Sequence, residues 1–122
     1  MPHPITLTAV PDIPLIQAGD DLGSLIVHGL AAGNLTLADG DVIVVAQKIV
    51  SKSEGRQVRL DQIEPSSEAV ELGKRVGKDP RLVQVILGET REIVRAAPGG
   101  VLIVEQRNGL ISANAGIDRS NV

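Results

Sequence analysis

The chain contains no Phe, Tyr or Trp, so any hydrophobic core that it forms has to be built from aliphatic side chains. Apolar residues still make up 43% of its 122 residues and charged residues 22%, proportions typical of a globular protein rather than a disordered one. A chain of this length can form about one domain with a modest core. The lack of aromatic rings also argues against a surface on which nucleic-acid bases or sugars stack.

Charge, cysteine content and hydropathy exclude several classes of function. The net charge of −3 and the lack of a basic block argue against a nucleic acid or an anionic membrane as partner. Because the chain has no cysteine, disulfides, thiol catalysis and cysteine-ligated zinc are excluded, and His3 and His28 share no ligand spacing. No signal peptide is recognisable and no apolar run approaches the ~18 residues of a membrane span, so a cytoplasmic location is expected.

Residue periodicity predicts strands and helices in the first half of the chain. Residues 5–10 alternate as in a strand, and residues 42–46 are an unbroken, largely β-branched run typical of a strand buried on both faces. Helical spacing predicts a helix over residues 21–31, capped by Asp20 or Asp21. The other predictions for this half are a polar loop at residues 47–56 and a short strand at residues 58–60.

The second half of the chain is predicted to begin with two helices. One opens at Pro65, and the next has Asp79 as its N-cap and Pro80 as its first helical residue. A broad apolar stripe follows, which predicts that the second of these helices continues to the break at residues 98–100.

A β-hairpin is predicted near the end of the chain. Asn108-Gly109 lies between the apolar runs 101–105 and 110–113, a pattern typical of a hairpin turn. The complete order of elements predicts an α+β fold (mixed α/β) in which helices pack on a sheet. The compact motifs of P-loop, dinucleotide-binding and α/β-hydrolase sites are all missing from the sequence.

One candidate site lies in the polar stretch after the β-branched run. Ligands tend to bind where loops leave the ends of buried strands. Lys48, Lys52 and Arg56 recur at four-residue spacing there, and Ser51 and Ser53 add hydroxyl donors. Cations together with short donors are what a phosphate group requires. A solvated loop with ordinary lysines is the alternative, and the spacing leaves both interpretations open.

The second candidate site is the stretch NAGIDRSNV at residues 114–122. Gly116 permits backbone conformations that other residues avoid, and Asp118 offers a hard carboxylate suited to Mg²⁺ or Mn²⁺. Ser120 and Asn121 can bind a ligand or the backbone. The alternative is an Asx-turn that starts another element. We expect this stretch to be weakly anchored in the chain alone.

Both stretches take part in a family resemblance. DGDVIVVAQKIVSKSEGR, GKDPRLVQVIL and NAGIDRSNV occur in this order and at this spacing. Together with IPLIQAGDDL at residues 13–22, they resemble the N-terminal half of the F420 γ-glutamyl ligase family. The resemblance covers nearly the whole chain. It implies that residues 1–122 form a single domain or half-domain, corresponding to the N-terminal half of a ligase domain.

The resemblance implies a GTP-dependent ligase of coenzyme F420 biosynthesis. Such an enzyme adds L-glutamate to coenzyme F420-0, a deazaflavin phospholactate, and then adds further γ-linked glutamates. Phosphoryl transfer from GTP to the acceptor carboxylate precedes attack by the glutamate amine, because an acyl phosphate has a good leaving group and a carboxylate does not. GTP as co-substrate, Mg²⁺ or Mn²⁺, potassium as a further ion and a homodimer are implied by the same resemblance.

The resemblance also implies which residues bind these groups. Lys52 would hold a phosphate as a point charge, and Asp118 would be a metal ligand. Gln47 stands where many relatives carry Ser or Thr, so its side-chain amide or its backbone N–H would make the contact with the nucleotide. The family's other metal ligands come after residue 122. The implied nucleotide contacts are Ile13, Pro14, Leu15, Ile16, Gln47, Lys48, Lys52 and Asn121.

The sequence leaves three functions open. In the first, the chain is the N-terminal half of a GTP-dependent ligase and is inactive alone. In the second, it is a non-catalytic fragment or a nucleotide-binding half-domain that needs a partner chain. The third alternative is a small aliphatic domain with no nucleotide role. A ligand that binds specifically raises thermal stability, so a GTP-dependent shift separates the third alternative from the others.

Overall fold

The structure, a computed structural model, describes residues 1–119 of the chain. Residues 1–57 form one compact unit and the residues from 58 onward form a second, and each is described by itself. The described residues form four α-helices and a three-stranded antiparallel sheet, which confirms the predicted α+β fold. Within that part of the chain, no helix is long and apolar enough to cross a membrane. The correspondence of the chain to a single domain or half-domain stays a prediction.

The first unit contains the helices α1 (Leu22–Ala32) and α2 (Gln47–Ser53). The carboxylate of Asp21 caps α1 by accepting hydrogen bonds from the amide of Ser24 at 3.1 Å and from its hydroxyl at 2.8 Å. The predicted helix is therefore confirmed, with Asp21 rather than Asp20 as its cap.

The helix α2 replaces the polar loop predicted for residues 47–56. Ala46 precedes it and provides no side-chain cap, so the usual signal of a helix start is missing from the sequence. The helix has seven residues, which is too short for hydrophobic periodicity to reveal it.

Residues 5–10 and 42–46 are not strands in the described part of the chain, contrary to the prediction. The ladders of the described sheet join residues of the second unit, so neither run has a neighbouring strand there. Their large apolar side chains are exposed instead of buried, apart from that of Val10, which is half-buried. A β-branched run favours an extended backbone, but a strand also requires a hydrogen-bonded neighbour. Residues 58–60 are likewise not a strand, and a 3₁₀ helix begins at Leu60.

A buried glycine lets the loop before α1 lie directly on the helix. A Cβ at Gly29 would lie 2.5 Å from the carbonyl oxygen of Pro11 and 2.8 Å from Cγ1 of Val10. The Cδ1 atom of Ile13 would be 3.3 Å away. Contacts this close leave no room for a side chain, so Gly29 allows residues 10–13 to pack against α1.

The second unit contains the helices α3 (Ser67–Val76) and α4 (Pro80–Glu89) and the strands β1 (Thr90–Ala97), β2 (Val101–Gln106) and β3 (Ile111–Ala113). The strands are ordered β1-β2-β3 and each pair is antiparallel. The buried core is aliphatic, as the composition requires, and combines both helices with β2. Its members are Ala69, Leu72, Val76, Leu82, Val83, Ile86, Leu102, Val104 and Ala115.

Both helices of this unit begin close to where the sequence predicts. The hydroxyl of Ser66 accepts a hydrogen bond of 3.2 Å from the amide of Ala69 at the start of α3. Asp79 caps α4, and Pro80 occupies its first turn, where no helical hydrogen bond requires an amide.

Helix α4 ends at Glu89, earlier than predicted, and the next eight residues form β1. The hydroxyl of Thr90 donates to the carbonyl oxygen of Ile86 at 2.6 Å in the last turn of the helix. Gly99 and Gly100 have φ angles of +86° and +83°, so the predicted helix stop is a hairpin turn between β1 and β2. A short apolar run fits both helical and strand periods, and the pairing with β2 decides between them.

The predicted hairpin between β2 and β3 is confirmed. Gly109 has a φ of +87°, and its amide donates to the carbonyl oxygen of Gln106 at 2.9 Å. The side-chain oxygen of Asn108 accepts a hydrogen bond of 3.1 Å from the amide of Leu110. Asn108 supplies a side-chain hydrogen-bond acceptor and Gly109 supplies the positive φ of the tight turn, so the local sequence is sufficient to predict the hairpin.

Candidate functional site

Two of the predicted nucleotide-binding lysines lie on α2. Lys48 and Lys52 are one helical turn apart, so they project from the same side of the helix. Lys48 is exposed, whereas Lys52 is half-buried in the last turn. Nε2 of Gln47 lies 3.5 Å from the hydroxyl of Ser51, at the limit of a hydrogen bond. The helix therefore places two cations beside polar side chains, a combination that suits a phosphate group.

The loop that follows residues 13–16 is attached to the C-terminal end of α2. The amide of Gly19 donates a hydrogen bond of 2.8 Å to the carbonyl oxygen of Ser53. A Cβ on Gly55 would lie 3.6 Å from the Cβ of Ala18, which is ordinary van der Waals contact. The first unit thus connects two of the predicted nucleotide-contact segments, although they are far apart in sequence.

The segment 13–16 has half-buried residues at its two ends and exposed residues between them. Ile13 and Ile16 are half-buried, whereas Pro14 and Leu15 are exposed. Such a segment offers apolar surface and backbone groups, which is the kind of contact that the family resemblance implies for a guanine base. Its role in nucleotide binding stays a prediction.

Asp118 follows a left-handed turn in the second unit. Asn114, Ala115 and Gly116 have φ angles of +55°, +53° and +70°. The side chain of Ala115 is buried in the core, and Ile117 packs against that core. The amide of Ile117 donates to the carbonyl oxygen of Asn114 at 3.0 Å. The expectation that this stretch is weakly anchored is therefore wrong for the turn, because burial of an apolar residue holds it in place.

Asp118 itself is exposed and does not belong to a cluster of metal ligands in residues 1–119. Mg²⁺ prefers several oxygen ligands in octahedral geometry, so one carboxylate does not form a site. Asn121 lies outside the described residues, and its predicted contact with the nucleotide is not addressed by the structure. Lys52 belongs to the first unit and Asp118 to the second.

Two helix caps carry carboxylates whose pKa values are lowered by hydrogen bonds. The amide and the hydroxyl of Ser24 lower the pKa of Asp21. The guanidinium of Arg81 donates to Asp79 at 2.7 and 3.1 Å and, with the Arg81 amide, lowers the pKa of Asp79 to about 2. The role of Arg81 was missed from the sequence, although its position two residues after a capping aspartate is a recognisable signal.

A shallow depression along α1 was also missed, and it offers few groups to a ligand. Its polar lining includes Asp21 and Ser24, which hydrogen-bond to each other. Val27, His28 and Ala31 continue the surface along the helix. The paired carboxylate and hydroxyl serve the helix cap, so we assign no binding role to the depression.

The sequence model of one protein family matches nearly all of the chain. That family is described as F420-0:Gamma-glutamyl ligase, and the match covers residues 12–122. It therefore includes the segment 13–16, the helix α2 and the turn before Asp118.

Several curated relatives named coenzyme F420:L-glutamate ligase are similar to the chain. The protein of Methanothermobacter thermautotrophicus is 49% identical over 118 residues, which cover 97% of this chain and 46% of the relative. That of Methanopyrus kandleri is 48% identical over 106 residues, or 87% of this chain and 40% of the relative. That of Methanocaldococcus jannaschii is 41% identical over 113 residues, or 91% and 43%. The chain thus spans less than half the length of these relatives.

Proposed function

The chain belongs to the F420-0:gamma-glutamyl ligase family, and from this membership we propose that it carries the GTP-binding part of a ligase that joins L-glutamate to coenzyme F420-0. The hydrogen bond between Gly19 and Ser53 carries the proposal, because it attaches the loop after residues 13–16 to the lysine-bearing helix α2. The proposal is that one nucleotide contacts both the apolar segment and the lysines of α2.

The chemistry of amide formation explains the need for a nucleotide. A carboxylate resists attack by an amine, so a carboxylate oxygen of the acceptor first attacks the γ-phosphorus of GTP, and GDP leaves as the P–O bond breaks. The amine of L-glutamate then attacks the acyl carbon, the C–N bond forms, and inorganic phosphate leaves with the electrons of the C–O bond. The amine releases a proton as the amide forms. Positioning of the phosphate groups and neutralisation of their charge are the protein's main contributions.

In this proposal, different residues of the first unit bind the phosphate groups and the base of GTP. Lys52 is half-buried in the last turn of α2, and its ammonium group would hold a phosphate as a point charge. Lys48 adds a second positive charge one turn away, and Gln47 adds an amide. The exposed Pro14 and Leu15 would contact the base. The proposal gives Asn121 a nucleotide contact as well.

The proposal assigns divalent metal to the complete ligase and not to this chain alone. Asp118 is one suitable ligand for Mg²⁺ or Mn²⁺, but residues 1–119 hold no group of three carboxylates or histidines around it. Potassium and a homodimer remain part of the proposal on the strength of the resemblance, and the cytoplasmic location expected from the sequence stays a prediction.

Thermal unfolding with and without nucleotide tests the proposal. GTP at about 100 times its Kd stabilises a binding protein by about 2.7 kcal/mol, which raises the midpoint by several degrees. We expect GTP to raise the midpoint of this chain more than ATP does, and we expect Lys52→Ala to abolish the difference. Lys74→Ala is the matched control, because Lys74 is also in the last turn of a helix but belongs to the second unit.

Equal midpoints with GTP, with ATP and without nucleotide would count against GTP binding by this chain. A GTP-specific shift that persists in Lys52→Ala would reject the role of Lys52. The alternative function is a non-catalytic half-domain that needs a partner chain. Incubation with GTP, L-glutamate and coenzyme F420-0, after addition of the polypeptide that corresponds to the unmatched part of the Methanothermobacter relative, distinguishes the two. A ligase part then forms a glutamyl product detectable by mass spectrometry, and a non-catalytic half-domain forms none.

A further inference from the structure

A chemically labile dipeptide lies in the hairpin between β2 and β3. Asn108-Gly109 is the only place in the sequence where glycine follows asparagine. Asparagine is among the thermolabile residues, and glycine has no Cβ to shield its amide nitrogen from the side chain before it. Asn34, Asn114 and Asn121 are followed by Leu, Ala and Val, whose side chains hinder the same approach.

Deamidation at this dipeptide consumes water and no other reagent. The amide nitrogen of Gly109 loses its proton and attacks Cγ of Asn108, so that an N–Cγ bond forms. The Cγ–Nδ2 bond breaks, and ammonia leaves with a proton. Water then opens the five-membered imide at either of its two carbonyl groups. One product is aspartate, and the other is isoaspartate, in which the main chain passes through Cγ and is longer by one carbon atom.

Hydrogen bonds inside the turn oppose the first step of this reaction. The amide of Gly109 donates to the carbonyl oxygen of Gln106 at 2.9 Å, and a bond to the neutral N–H disfavours loss of its proton. The side-chain oxygen of Asn108 accepts a bond of 3.1 Å from the amide of Leu110. Attack on Cγ makes that carbon tetrahedral and displaces its oxygen, so ring closure disturbs both hydrogen bonds.

The residue before Asn108 is tied to the C-terminal end of α4. The amide of Arg107 donates to the carbonyl oxygen of Glu89 at 3.1 Å. Nε of the Arg107 side chain donates to the carbonyl oxygen of Gly88 at 2.9 Å. Opening of the turn is therefore resisted by bonds to a neighbouring helix as well as by bonds within the hairpin.

We propose that Asn108 is a deamidation site that the folded hairpin keeps closed, so that its amide is lost only when the turn between β2 and β3 opens. Local opening of a turn is rarer than the closed state, and it therefore limits the rate in the folded chain. The contacts concerned lie within the second unit, and the reaction does not depend on ligase activity.

Formation of isoaspartate at position 108 has a consequence for the segment that carries Asp118. Glu105 pairs with Ile111 next to the turn, and turn length fixes this register. One additional main-chain atom prevents the hairpin from closing in that register. Because β3 leads directly into the left-handed turn at residues 114–116, deamidation removes an anchor of the segment before Asp118.

Peptide mapping by mass spectrometry tests the proposal. The chain is incubated at mildly alkaline pH, folded in buffer or unfolded in guanidinium chloride, and the deamidated fraction at each asparagine is followed with time. In guanidinium chloride we expect Asn108 to react faster than the other asparagines. In buffer its rate should be at least ~10-fold lower than in guanidinium chloride, because the turn has to open first.

Arg107→Ala removes the side-chain bond to Gly88. It should raise the rate at Asn108 by at least ~3-fold in buffer and leave the rate in guanidinium chloride nearly unchanged. Arg91→Ala is the matched control, because Arg91 is also an exposed arginine, but its guanidinium lies 3.5 Å from Glu105 of β2. This variant should deamidate as the parent chain does.

The two products of deamidation are compared by amide hydrogen exchange. Asn108→Asp reproduces the aspartate product and should keep the hairpin, since its carboxylate can still accept from the amide of Leu110. The purified isoaspartate form should exchange at least ~10-fold faster than the parent at residues 111–113.

Each of four results would overturn the inference. Equal rates at Asn108 in the folded and the unfolded chain would show that the hairpin gives no protection. Equal acceleration by the two arginine variants would show that release from α4 is not the opening step. A faster reaction at another asparagine in guanidinium chloride would assign the site elsewhere. Unchanged exchange at residues 111–113 in the isoaspartate form would show that the hairpin tolerates the longer main chain.

Discussion

The amide of Gly19 donates a 2.8 Å hydrogen bond to the carbonyl oxygen of Ser53, and this bond joins the loop after residues 13–16 to the end of α2. A disulfide can test the contact, because a Cβ on Gly55 would lie 3.6 Å from the Cβ of Ala18, within the range of disulfide geometry. We expect Ala18→Cys combined with Gly55→Cys to oxidise spontaneously in air. The crosslink should stabilise the chain by about 2–3 kcal/mol over its reduced form in urea unfolding.

The chain has no cysteine of its own, so thiol titration and intact mass report on the introduced pair alone. Ala18→Cys combined with Gly40→Cys is the matched control. Gly40, like Gly55, has a positive φ, but a Cβ placed on it would have no atom within 4 Å. This second pair should stay reduced. Equal oxidation of the two pairs would show that the loop is not held at the end of α2.

Gly29→Ala should detach the loop from α1. The new methyl group would lie 2.5 Å from the carbonyl oxygen of Pro11, and backbone atoms cannot move aside as the end of a flexible side chain can. We expect a loss of about 1–3 kcal/mol in the free energy of unfolding, together with faster amide exchange at residues 10–13. Gly23→Ala is the control, since its methyl group would meet only a carboxylate oxygen of Asp21 at 3.4 Å. A stable Gly29→Ala variant would contradict this packing.

Two glycines of the second unit should respond to alanine in opposite directions. Gly88 lies within α4 with no atom within 4 Å of an added Cβ, so Gly88→Ala should stabilise the unit by about 0.5–1 kcal/mol through helix propensity. An added Cβ at Gly73 would lie 2.8 Å from the carbonyl oxygen of Lys78, so Gly73→Ala should destabilise it by about 1–3 kcal/mol. Urea unfolding measures both, and effects of the same sign would contradict the description of the two helices.

The helices and the hairpin that the sequence predicts correctly are each marked by capping or turn residues within a few residues of the backbone groups that they bind. Asp21 and Asp79 cap their helices through nearby amides, and Asn108-Gly109 closes a hairpin between adjacent strands. The run at residues 42–46 fails as a predicted strand because its neighbour has to come from elsewhere in the sequence or from another polypeptide. Residues 90–97 fail as a predicted helix because pairing with β2 outweighs their apolar spacing.

The candidate site also depends on contacts between distant parts of the chain, which the sequence does not predict. The sequence places Lys48 and Lys52 together because they are close along the chain. It gives no indication that Gly19 bonds to Ser53, since such contacts arise from the packing of distant segments. The family resemblance predicts that both segments contact a nucleotide, and the structure of the first unit adds the hydrogen bond between Gly19 and Ser53.

Asp79 should make the stability of the second unit depend on pH in acid. Hydrogen bonds from the Arg81 guanidinium lower the pKa of Asp79 from 3.8 to about 2 in the folded state. The pair therefore stabilises the fold above about pH 4, and its contribution disappears as the pH falls to about 2. Arg81→Gln should lower the urea midpoint at about pH 5 and have little effect near pH 2. In an Asp79→Asn background, where asparagine still caps the helix without a charge to lose, the effect of Arg81→Gln should vary much less with pH, because only the weaker interaction of Arg81 with Asp61 is then lost in acid. A pH-independent effect with Asp79 present would contradict the pairing.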